Sequence, residues 1–190
     1  MRLQTSLLVL MLVIFAFPSA ALAFYKPTRV LLPQLFGVEC PSENICIDDL
    51  TRLEAAEQLR AEAVDFVNSN VGRISRVPRF IFCNTQTCSD KFGQYHAAAY
   101  NVGTVGIVIR TKGWRKHFVR HELIHHLQNE RFGSINAFLF KPKWFLEGMA
   151  YSLSGDPRRP IPNDELEGYR TEFERWHDGS DIWTRAMHLR

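Results

Sequence analysis

The sequence predicts an α+β domain in which a small mixed sheet, backed by one helix, is followed by a run of helices ending in a C-terminal helical cap. Three observations predict it. Two short runs, residues 79–83 and 104–109, are dense in aromatic and β-branched side chains and bounded by turn formers, as strands are. Apolar residues recur at helical spacing before these runs, over 50–68, and around and after them, over 114–131, 144–153 and 164–176. At 46% hydrophobic and 12% aromatic residues, the chain has the apolar material for one packed core, and its length suits a single domain.

Taken in order, the chain opens with Met1-Arg2, an apolar stretch over 7–17, then Pro18 and the small residues of Ala21-Leu22-Ala23. That layout predicts a signal peptide over 1–23, cleaved after Ala23, and hence export to the periplasm or medium. The competing reading is an uncleaved anchor, the only part of the chain expected to meet a membrane. Residues 24–47 read as a tether and cysteine loop, because Pro27 and Pro33 break any periodicity; a tether could also lie over a cleft in a latent state. The domain proper is 48–190. Asp48 or Asp49 caps the backing helix. Between the two strands, 84–93 is polar and turn-like, with a further strand near 97–100. Residues 134–143 read as a link, and Gly155-Asp156-Pro157 ends the helix before it. Asn163 caps the last long helix, in which Leu166, Tyr169, Phe173 and Trp176 share a face.

The four cysteines form two close couples, Cys40 with Cys46 and Cys83 with Cys88. Export makes disulfides the expected state; of the three possible connectivities, pairing within each couple is the simplest. A cysteine zinc site is the rival, but neither couple has the two-residue spacing of zinc ribbons. Lysines and arginines are scattered among acids, with a net charge of +3, so the basic stripe of a nucleic-acid binder is missing.

The chemistry lies in His121-Glu122-Leu123-Ile124-His125. Two histidines four apart on a helix face one way and can share a metal ion, while the glutamate between them points aside, where it can take a proton from water. A catalytic zinc takes three protein ligands and keeps one position open. The candidate third ligand is Glu147 in Trp144-Phe145-Leu146-Glu147-Gly148-Met149-Ala150, on the next helical segment.

With that segment the sequence resembles the gluzincin metallopeptidases, which include thermolysin-like enzymes and the leukotriene-hydrolase-like aminopeptidases. The resemblance covers residues 114–153. It implies a zincin-like core, Zn2+ held by His121, His125 and Glu147, Glu122 as general base, and a peptide or protein substrate. A dedicated protein partner is a further expectation for so small an enzyme. Endopeptidase action is preferred, since the amino-terminus-binding segment of the aminopeptidases has no counterpart here. In thermolysin-like enzymes an aspartate four residues after the glutamate orients a ligand histidine; Tyr151 stands at that place.

Tyr151, Tyr169 and His177 are candidates for stabilising the oxyanion, Tyr151 having packing beneath the site as its ordinary role. His117 and His126 read as structural or exposed, and Asp156 is an alternative ligand whose bland reading is a turn residue. The resembling peptidases hold substrate as an added strand, so the free edge of the 104–109 strand is the expected platform. The rival function is a noncatalytic exported binding or scaffold module, whose metal is structural or absent. A fourth protein ligand, from His117, His177 or a cysteine, would mark it.

Overall fold

The computed structural model describes residues 25–93 and 96–189; the expected signal peptide lies outside them. Five strands, β1 (Glu39–Ser42), β2 (Ile45–Ile47), β3 (Arg79–Phe82), β4 (Ala99–Val102) and β5 (Gly106–Ile109), make one mixed sheet in the order β1-β2-β3-β5-β4. The central β2, β3 and β5 are parallel, and β1 and β4 close the two edges antiparallel. Register puts Ile45, Phe80 and Ile107, then Ile47, Phe82 and Ile109, side by side on one face, while Cys46, Ile81 and Val108 point to the other. All are fully or almost fully buried. The centre of the sheet is covered on both sides, which is why its strands read as unbroken apolar runs. Each such side chain contributes about 1.5–3 kcal/mol by leaving water.

The first face carries the helices. α1 (Leu53–Asn70), entered through a 3-10 turn that Asp49 caps by accepting from the Thr51 N–H, buries Ala56, Ala63 and Val67. α3 (Lys116–Phe132) crosses beside it with Val119, Leu123, Ile124 and Leu127 turned inward. Arg120 ties the pair, bonding Glu62 and lying over the Phe66 ring. α5 (Lys143–Leu153) and α6 (Asp164–Trp176) then pack against each other through Phe145, Phe173 and Trp176. Asn163 caps α6, and the carboxylates of its first turn suit the positive end of the helix. α7 (Ile182–Ala186) is the short terminal helix.

Three segments differ from their sequence reading. The tether and cysteine loop joins the sheet: residues 39–47 supply β1 and β2, and residues 26–36 form 3-10 turns whose Val30 sits in the core on the sheet's second face, away from the long helices. Residues 84–93 hold α2 (Gln86–Phe92), capped by the Thr85 hydroxyl. Residues 134–140 are not a plain link but α4 (Ser134–Phe140). The disulfides are Cys40–Cys46, across the β1–β2 hairpin, and Cys83–Cys88, from the end of β3 to α2. Both fit an oxidising, exported environment.

One correction bears on the site. The 104–109 run has no free edge, because β5 lies between β3 and β4. Its first two residues fall in the β4–β5 turn, and the open edge is β4. Ala98 O and Val102 O accept from Arg110 N–H and Val105 N–H on the β5 side. Main-chain groups alternate sides along a strand, so those of Ala99 and Asn101 face away from β5.

Candidate metal centre

α3 presents its other face to a cleft of about 730 Å³, lined by β4, α4, α5 and α6. His121 and His125, one turn apart, place their Nε2 atoms 3.1 Å from each other. Glu147, from α5, brings Oε2 to 3.6 Å from both. A cation bound tetrahedrally at about 2.1 Å has ligands roughly 3.4 Å apart. The three separations bracket that value, and together these residues form a group that could hold a metal ion.

The electrostatics tie the three together. Burial alone would raise the Glu147 carboxyl, but the His125 charge and hydrogen bonds from both imidazoles hold it well below the usual carboxylate range. Burial opposes a charge on His125, yet Glu147 foremost, with Glu122 and Gln128, pushes it up to about 9. Glu122, beside the triangle, is raised by burial, the neighbouring histidines only partly opposing it, and its carboxylate accepts the Asn101 backbone N–H. The edge strand and the acid are thus in direct contact.

The residue after Glu147 sets how closely the next helix lies. A Cβ on Gly148 would stand 2.2 Å from Tyr169 O and 2.7 Å from Phe173 Cβ, so α6 lies directly on the α5 backbone. That approach seats Tyr169 in the cleft wall.

Gln128 has no part in the motif as read from sequence. It is buried, its Nε2 donating to Leu146 O (3.0 Å) and its Oε1 accepting from His125 Nδ1 (2.8 Å). The Leu146 carbonyl sets which way the amide points, so Gln128 holds the His125 proton on Nδ1, and a cation bound in the triangle would displace the proton from Nε2 and take its lone pair. A hydrogen-bonding side chain three places after His125, continuing the face of His121 and His125, was the available signal. Gln128→Leu should weaken metal binding about 10- to 100-fold, read by competition with a chromophoric chelator.

The remaining candidates are dispersed. Tyr151 lines the cleft, its ring edge-on to His121 at 4.4 Å between centroids; burial, then Glu147, pushes its hydroxyl up to about 12, so it stays a donor. It touches the histidine by ring packing. The Tyr169 hydroxyl donates to Glu165. His177 does not line the cleft and stacks on Phe173. Asp156 is taken by Arg158, with His117 facing the pair. His126 is buried, bonding Arg76 O.

No family model matches the chain, nor does any curated protein or solved structure compared with it.

Proposed function

We propose that the protein is an exported zinc peptidase of the gluzincin kind, an endopeptidase that cleaves chains bound along β4. The observation that carries the reading is the His121, His125, Glu147 triangle opening on a cleft, with the buried carboxyl of Glu122 beside it. Two imidazoles and one carboxylate favour zinc among common divalent ions. When bound there, zinc would lower the pKa of a water to about 7 and polarise the scissile carbonyl.

The chain's own residues do the rest. Ala99 offers its main-chain N–H and C=O, and Asn101 its C=O, to an extended peptide, aligning it across the cleft. Glu122 takes the proton of the attacking water and passes it to the leaving amine nitrogen, a role that suits a carboxyl raised by burial. Tyr151, which lines the cleft and is protonated at neutral pH, is the candidate donor to the carbonyl oxygen as charge develops there.

The rival, a closed structural site, needs a fourth protein ligand. Its named sources lie outside the site: neither His117 nor His177 lines the cleft, and all four cysteines are in disulfides. Elemental analysis of the purified wild type beside His125→Ala tests the reading. One zinc per chain, absent from the variant, together with hydrolysis of a quenched-fluorescence peptide library that a chelator stops, is expected. A well-folded wild type that binds no metal would sink the proposal.

A further inference from the structure

Two neighbouring residues late in α3 reach out in different directions. Gln128 joins the helix to α5 at Leu146 O, and Asn129 joins it to the edge strand β4. The Asn129 Nδ2 donates to Asn101 Oδ1 at 3.0 Å and to His125 O at 2.7 Å. An amide nitrogen carries two hydrogens, so both are spent, and turning the group over would set its oxygen against two acceptors. The network thus fixes which way the side chain faces. Local preference does not account for the residue, since asparagine is less favourable in a helix than alanine by up to about 0.7 kcal/mol. What sets the position apart is its contact with β4.

Asn101 is held at two points by one stripe of α3. Glu122 and Asn129 stand seven residues apart, two turns of helix, and so face the same way. Glu122 accepts from the Asn101 main-chain N–H, while Asn129 donates to the Asn101 side chain, whose own Nδ2 is buried without a partner. One bond fixes a distance; two, at separate atoms, fix the orientation of the residue as well. The N–H and C=O of a strand residue point to the same side. Holding the Asn101 N–H on Glu122 therefore also aims the Asn101 carbonyl, which faces the open edge. Both asparagines line the cleft.

We propose that Asn129 is a positioning residue which, acting through Asn101, fixes the edge of β4 in relation to Glu122 and the metal triangle. Its bearing on turnover rests on the peptidase reading. A peptide lying along β4 meets the metal and the acid correctly only while that edge is fixed, and a misplacement of about 1 Å lowers a rate on the order of 100-fold.

The test is two measurements on wild type, Asn129→Ala, Asn101→Ala and the double variant. The first is amide hydrogen exchange by NMR, on the protein as purified and without peptide. Asn129→Ala should speed exchange of the Asn101 N–H about tenfold or more, and Asn101→Ala should do the same at position 101 from the other end of the bond. Ile107 and Val108, on a strand paired at both sides, should keep their rates. The second is peptide hydrolysis. Asn129→Ala should lower kcat about 10- to 100-fold with KM and zinc affinity little changed, and should cost almost nothing further in the Asn101→Ala background. Unchanged exchange at Asn101, or an equal loss of kcat in both backgrounds, would overturn the proposal. A loss of zinc affinity matching the loss of rate would do so too, by assigning the effect to the His125 carbonyl. Exchange needs no turnover, so a wild type that hydrolyses nothing ends the peptidase reading and still leaves the hold of Asn129 on the strand to be decided by the exchange rates.

Discussion

Glu122→Gln is expected to lower kcat/KM for peptide hydrolysis on the order of 10³-fold, about 4 kcal/mol of barrier, with zinc content unchanged. The three residues of the triangle stay in place, and glutamine keeps the volume and the hydrogen bond from Asn101 N–H. Only the proton acceptor is lost. The same substitution should raise stability. Burial raises the Glu122 carboxyl above the ordinary glutamate value, so its stabilising contribution is fully present below that ordinary value and is lost as pH rises through the folded-state value. Glutamine cannot ionise and escapes that loss. Thermal melts of chelator-treated protein should show a higher Tm for the variant at pH 8, and a difference that shrinks towards pH 4. For the wild type, activity should fall on the acid side at a pH above the ordinary carboxylate range, since the base is needed ionised. A variant that kept wild-type kcat/KM would remove Glu122 from the mechanism.

The second large effect belongs to Gly148→Ala. Within a helix, alanine is intrinsically the better residue by about 1 kcal/mol, so a site with room would gain stability. Here the added methyl meets Tyr169 O at 2.2 Å, main-chain atoms that cannot swing aside. α6 must move off α5, loosening the Phe145, Phe173 and Trp176 contacts. Overpacking of this sort costs about 1–3 kcal/mol, and backbone contact puts the expected loss at the upper end, about 3 kcal/mol in urea unfolding. Because α5 carries Glu147 and α6 carries Tyr169, metal affinity should fall as well. An unchanged or raised stability would mean that the helices are less closely packed than the geometry states.

Much of this arrangement was legible in the residues. The HExxH spacing depends only on helical periodicity, so His121 and His125 could be placed on one face, with Glu122 beside it, before any fold was known. The pairing of Cys40 with Cys46 and Cys83 with Cys88 was the simplest of three connectivities, and the structure has it. The long helices announced themselves through apolar recurrence and through caps such as Asn163. α2 and α4 did not: each is seven residues long, too short for periodicity to stand out, and α4 carries its apolar stripe on the wrong side for a core helix.

By itself, then, the sequence determined the elements whose signals are local: strand runs, helix faces, caps, and the two histidines with the glutamate between them. Tertiary structure decided what depends on distant parts of the chain. It seated β5 inside the sheet and left β4 as the edge, because strand order is set by pairing between segments. It carried Glu147 to 3.6 Å from both histidines by packing α5 on α3, and let α6 close over Gly148. It joined Gln128 to His125 and to the Leu146 carbonyl, and parted His177 from the cleft. Periodicity acts through neighbours in sequence, whereas a metal triangle and a cleft are assembled from side chains that only packing brings together.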